Sequence, residues 1–199
     1  FKELDTPEKA YWIGFLYGDG CVFQREKGSA RVSLGLKHED EKHVRKFKSA
    51  IDSKHAISKS DSLVGISIQH AEFSEAVAKH GLTTEKTYSD SLPTLEHDDL
   101  RAAFVRGLFD ADGHSGVNHR FNITGSNRDR FARLIEWLPV DGTVQDRGDG
   151  VLTLRVGSKA RLRELYSWLY PTGEATTPAL DRKLKKIPTK WIQKKSKSI

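Results

Sequence analysis

Apolar and polar residues alternate singly through 31–37. Val32, Leu34 and Leu36 point one way and Arg31, Ser33, Gly35 and Lys37 the other, as in a strand covered on one face. The same period returns in Val64, Ile66 and Ile68 within a hairpin expected over 55–69, and in Phe121 and Ile123 within 120–124. Leu152, Leu154 and Val156 complete a hairpin of 143–147 with 151–156 that turns at Asp149 and Gly150. Val44, Phe47 and Ile51 are spaced for a helix over about 39–51. Further helices are expected over 71–79, stopping at Gly81, over 127–138, ended by Pro139, and over 159–170, opened by Ser158.

Two segments organise these elements: WIGFLYGDG at 12–20 and VRGLFDADG at 105–113. Superposed, they read apolar, any, Gly, apolar, apolar, any, small, Asp, Gly. Gly14 aligns with Gly107 and Asp19 with Asp112, each pair 93 positions apart. The elements after each segment follow the same course. The expected fold is therefore α+β: two pseudo-symmetric αββαββα halves packed through their motif helices, with antiparallel sheets. The boundaries are an N-terminal half over 1–81, a linker over 82–99, a C-terminal half over 100–170 and a basic tail over 171–199.

Read as helices, the motifs present Gly14 and Gly18, or Gly107 and Ala111, four apart, leaving a strip almost free of side chains where two backbones can meet. Trp12, Phe15 and Leu16, with Val105, Leu108 and Phe109, then pack into the two halves. The terminal Asp-Gly has an ordinary explanation, a left-handed glycine closing a helix beside a tolerated turn residue. Yet a carboxylate at a helix C-terminus is unfavourable by about 0.3–1 kcal/mol, and two converging carboxylates repel. A divalent cation reverses both effects. Asp19 and Asp112, with the carbonyls of Gly18 and Ala111, offer hard oxygen ligands that suit Mg²⁺ completed by water and phosphate.

Charge and composition narrow the class. Of 199 residues, 37% are hydrophobic and 30% charged, the balance of a globular domain, and no apolar run reaches the roughly 20 residues that span a bilayer. The single Cys21 excludes an internal disulfide and a multi-thiolate zinc site, and an intracellular setting is expected. Cys21 itself is expected to pack against the core beside the motif helix. The chain starts on Phe1 and contains no Met, so a few residues are expected ahead of it. Net charge is +6, and 182–197 carries eight basic residues and no acidic one. That favours a polyanion partner no more than it favours a solvated tail.

The paired motifs resemble the two copies of the LAGLIDADG motif in single-chain homing endonucleases, and the likeness covers nearly the whole chain. The resemblance implies a saddle whose sheets line the major groove of double-stranded DNA on either side of the cut. It also implies a monomer that hydrolyses one phosphodiester per strand of a long, pseudo-asymmetric target, leaving 3′ overhangs. The last Asp of each motif, here Asp19 and Asp112, would bind Mg²⁺ or Mn²⁺, with Ca²⁺ able to occupy the site without cleavage. Tyr17 stands where the first copy would carry its earlier acidic residue, and Asp110 keeps it in the second. By the same resemblance, catalytic lysines follow the third helix of each half, which points to Lys86 and Lys183.

Alternation assigns the groove-facing positions: Gln24, Arg31, Ser33, Lys37, Ser67 and Gln69 in the first half. In the second they are Asn118, Arg120, Asn122, Thr124, Gln145, Thr153 and Arg155. Asp40 and Asp129 stand where the second helix of each half begins, suited either to a helix start or to a water at the site. His38 and His43 are five apart and cannot form a zincin pair, and Gly157-Ser-Lys lacks a phosphate loop's length. A nuclease-inactive binder of the same fold, a maturase or regulator, is the alternative. An intein domain fits less well, because the splicing residues are missing at both ends.

Overall fold

A computed structural model describes residues 1–24, 30–84, 92–115, 120–171 and 178–192. The first half comprises α1 (Pro7–Asp19), β1 (Gly20–Phe23), β2 (Arg31–Lys37), a 3₁₀ turn (His38–Asp40), α2 (Glu41–Ala50), β3 (Ile57–Lys59), β4 (Leu63–Gln69) and α3 (Ala71–Lys79). The second repeats the order in α4 (Asp98–Asp112), β5 (Gly113–Ser115), β6 (Phe121–Gly125), α5 (Arg128–Trp137), β7 (Thr143–Asp146), β8 (Leu152–Val156) and α6 (Lys159–Leu169). Two short helices follow, α7 (Asp181–Leu184) and α8 (Thr189–Ile192). Both sheets are antiparallel and four-stranded, in the equivalent orders β1-β2-β4-β3 and β5-β6-β8-β7.

Local chemistry accounts for the boundaries. Thr6 caps α1 by accepting from the Lys9 amide, with Pro7 at the first helical position. Asn127 and Ser158 cap α5 and α6 in the same way. Gly81, at φ 88°, closes α3: its amide bonds Ala78 and the Leu82 amide reaches back to Val77. The β7–β8 turn holds Gly148, Asp149 and Gly150 at positive φ.

Every strand residue assigned to the inner faces is buried: Val32, Leu34, Leu36, Val64, Ile66 and Ile68 in one sheet, Phe121, Ile123, Leu152, Leu154 and Val156 in the other. Between the sheets run α1 and α4, packed on each other by reciprocal contacts. A Cβ on Gly14 would stand 2.8 Å from the Phe104 carbonyl carbon, and one on Gly107 would stand 2.7 Å from the Phe15 amide nitrogen. Only glycine permits that approach. No helix among the described residues is long and apolar enough to cross a membrane.

In its described residues 178–192 the basic tail is neither a free solvated arm nor wholly exposed. Leu180, Ile187 and Trp191 are buried, and the Trp191 ring stacks on Tyr166 at 6.0 Å between centroids. Arg182 bonds the buried carboxylate of Asp40 at 2.7 Å, and Lys46 pairs with Asp181 at 3.3 Å. Residues 178–192 are thus a docked segment whose apolar side is in the core.

Candidate active site

Asp19 and Asp112 are the last residues of α1 and α4, and each helix passes straight into a strand. The following glycines are extended, not left-handed: φ is −76° at Gly20 and −71° at Gly113. Their glycine requirement is spatial. A Cβ on Gly20 would lie 2.5 Å from the Leu16 carbonyl oxygen, and one on Gly113 would lie 2.8 Å from the Phe109 ring. The two motif ends meet. A Cβ on Gly18, the neighbour of Asp19, would stand 3.1 Å from Oδ2 of Asp112, so that carboxylate lies against the other helix's last turn. Asp19 is half-buried and Asp112 exposed.

Under this junction sits Lys183, buried, its Nζ donating to the carbonyl oxygens of Phe109, at 3.0 Å, and of Gly113. It therefore caps the end of α4, where cationic charge is favoured. Burial pulls its pKa down to about 8, while the fields of Asp110, Asp19 and Asp112 oppose that fall. One ammonium thus lies within electrostatic reach of both motif carboxylates and offsets their repulsion.

The field of Asp110 links Lys183 to a buried network that sequence spacing could not reveal. Asp110, fully buried, accepts from Tyr11 Oη at 2.9 Å, Tyr170 Oη at 2.7 Å and the Leu180 amide at 2.7 Å. Burial raises its pKa, and these three donors and Lys183 oppose the rise. Since Tyr11 donates to Asp110, the contact of His43 Nε2 with the same hydroxyl, at 3.0 Å, makes His43 the donor there. Burial lowers the His43 pKa to about 3, so the ring is neutral. Arg106 spans the Tyr11 and Tyr170 rings and donates to the last carbonyl of α6, Leu169, at 2.7 Å.

Beside Asp112 opens a cleft of about 120 Å³, lined among others by Gly18, Thr124, Ser126, Asn127 and Arg130. Arg130 lies three residues after the cap of α5, a position to which strand alternation and the motif repeat give no role. Its guanidinium sits 5.5 Å from the centre of the Tyr17 ring. Among the described residues no cluster of three or more His, Cys, Asp or Glu could cage a metal. Two carboxylates at paired helix ends instead fit a hard cation that keeps open positions for water and phosphate oxygens.

Both sheets turn their other face outward. Gln24, Arg31, Lys37, Ser67 and Gln69 are exposed, and Ser33 is half-buried with its hydroxyl 2.7 Å from that of Ser67. In the second half Arg120, Thr124 and Gln145 are exposed, while Asn122 and Arg155 are half-buried. Asn122 bonds the His114 carbonyl and Arg155 bonds Gln145. Lys86 and Asn118 lie outside the described residues.

Two assignments change. Thr153 lies on the outward face but is buried, because β8 is an inner strand whose Thr153 pairs with Thr124 on one side and Gln145 on the other. Cys21 is exposed, not core: Gly20 pairs with Leu34 on the covered face, which turns Cys21, opposite Ser33, outward. The same register adds Phe23, Leu63, His114 and Thr143 to the outward faces. Asp40 is occupied by Arg182, and Asp129 is exposed in the first turn of α5.

No protein-family profile and no curated protein matches the chain. Solved structures do. A structure of mesophilic variants of the homing endonuclease I-DmoI superposes with TM-score 0.65 at 21% identity, covering 83% of this chain and 92% of that one. I-DmoI in complex with DNA and Ca gives 0.66 at 18% identity, with 90% and 97% covered. The meganuclease I-SmaMI bound to uncleavable DNA gives 0.56 at 15% identity, with 82% and 81% covered. The chain shares the two-half fold of these LAGLIDADG endonucleases.

Proposed function

We propose that the chain is a site-specific, monomeric endonuclease that hydrolyses one phosphodiester in each strand of double-stranded DNA at a long target, leaving 3′ overhangs, with Mg²⁺ as its ion. The observation that carries this reading is the meeting of Asp112 with the last turn of α1 at Gly18, beside Asp19, between two outward sheet faces. Neighbours of the same fold are described as bound to DNA with Mn or Ca, which supports DNA and a divalent ion here.

Asp19 and Asp112, with the Gly18 and Ala111 carbonyls, would hold the ion. When bound, it supplies activation of water and charge neutralisation at the phosphate. The chain's own residues do the rest. Lys183 keeps the α4 terminus rigid and its charge lowers the cost of two adjacent carboxylates. Arg130, which lines the cleft with Asp112, would meet charge that develops on a phosphoryl oxygen. Arg31, Lys37, Gln69, Asn122, Gln145 and Arg155 face the groove and can reach base edges. Lys86 is proposed as the first half's lysine on the family resemblance alone.

The test is cleavage of a random duplex library in Mg²⁺, with the cut ends sequenced. Asp19→Asn and Asp112→Asn are expected to slow cleavage roughly 10²–10³-fold while affinity in Ca²⁺ stays within a few-fold. Tight binding with no cutting by the wild type would make the chain a binder that has lost its chemistry. Full-rate cutting of both strands by either variant would remove the carboxylates from the mechanism.

A further inference from the structure

Three large apolar side chains among the described residues stand substantially in solvent, Phe23 at 43%, Leu63 at 47% and Val151 at 39%. Val151 follows the tight turn before β8. Phe23 and Leu63 share the outward face of the first sheet, since both belong to the odd-numbered register rows. The row Phe23–Arg31–Gln69 marks one end of that face and the row Lys37–Leu63 the other.

Each exposed apolar group has polar neighbours on its own row. Arg31 lies over the Phe23 ring at 4.7 Å, which steadies the ring and keeps a cation beside it. Leu63 stands opposite Lys37. Between them the outward positions are small: Cys21, Ser33, Gly35, Gly65 and Ser67. Two apolar posts flanked by cations, with a low floor between, do not make a continuous apolar patch of the kind a protein partner covers. They suit a polyanion that presents isolated apolar groups. In the major groove that group is the thymine 5-methyl.

We propose that Phe23 and Leu63 are specificity-determining residues that read thymine methyls in the part of the target lying under the first sheet. The inference rests on the nuclease reading above and adds the chemistry by which one side of the site is chosen. The second sheet's outward face, with His114, Asn122, Gln145 and Arg155, is polar and would read its side by hydrogen bonds. The two apolar rows, at Arg31 and Lys37, are six residue steps apart along β2, roughly 20 Å of strand. The two methyl contacts should then lie about six base pairs apart when the strand follows the groove.

The test uses a duplex recovered from the random library by binding in Ca²⁺, resynthesised with deoxyuridine replacing thymidine one position at a time. Wild-type affinity should fall about fourfold at two places on one side of the site, the worth of one buried methyl. Leu63→Ala should abolish sensitivity at one place and Phe23→Ala at the other, each leaving the remaining place intact. Both variants should keep wild-type thermal stability, since both side chains are exposed. Tight binding with no methyl dependence, or dependence that survives in both variants, overturns this proposal alone. Failure to bind any duplex at low salt overturns the nuclease reading with it. A dimer that dissociates on Leu63→Ala would assign the posts to a second copy and overturn the proposal as well.

Discussion

At the core of the helix pair the same contact is made twice with different chemistry. Positions 17 and 110 are equivalent in the repeat, as are 11 and 104. On one side Tyr17 meets Phe104 edge to face, 5.3 Å between centroids, and donates its hydroxyl to the His80 carbonyl at 2.6 Å. On the other, Asp110 meets Tyr11 through a hydrogen bond of 2.9 Å and gathers Tyr170, Leu180 and the charge of Lys183 around it. The apolar version closes a half against its own third helix. The carboxylate version recruits a segment from outside the repeat. A duplicated fold has thus kept its geometry and changed the job of one contact.

The difference is measurable. Asp110→Ala should cost about 3–5 kcal/mol in urea unfolding, because it strands two buried hydroxyls and an amide together; a cost below about 1 kcal/mol would make the network ornamental. A second, acid-dependent effect belongs to the same polar side. His43 takes up a proton in the unfolded chain near pH 6.5 but only near pH 3 when folded. Between those values the unfolded state binds the extra proton. Stability should therefore fall as pH drops through that window, by up to about 1.4 kcal/mol per pH unit. His43→Gln, which keeps an N–H donor, should flatten that slope, and an unchanged slope would assign the acid sensitivity elsewhere. Tyr17→Phe should cost least, about 1 kcal/mol for one hydrogen bond to a main-chain carbonyl. A loss equal to that of Asp110→Ala would erase the contrast between the two sides.

Alternation exposed most of this fold to a reader of the sequence. Val32, Leu34 and Leu36 could face only one way, and the glycines of both motif helices announced a close helix contact. Faces were harder where one residue decides the register. Cys21 next to Gly20 looked like core until the pairing of Gly20 with Leu34 set the parity of β1. Thr153 kept its face but lost its exposure, since cover by flanking strands has no one-dimensional trace. In the tail, eight charges hid an apolar spacing that was in plain view: Leu180, Ile187 and Trp191 recur at seven and four. The family resemblance points to Lys183, but no spacing could disclose its grip on the end of α4, because its partners lie 70 and 74 residues upstream.

Those separations also set a timetable. Asp110 leaves the ribosome 60 residues before Tyr170 and 70 before Leu180. Until they follow, its carboxylate has only Tyr11 among its hydroxyl and amide donors, and the loops that join them have yet to close. The two halves can collapse early around their own sheets. A chain truncated before residue 170 therefore leaves the Asp110 carboxylate with Tyr11 alone of these three donors.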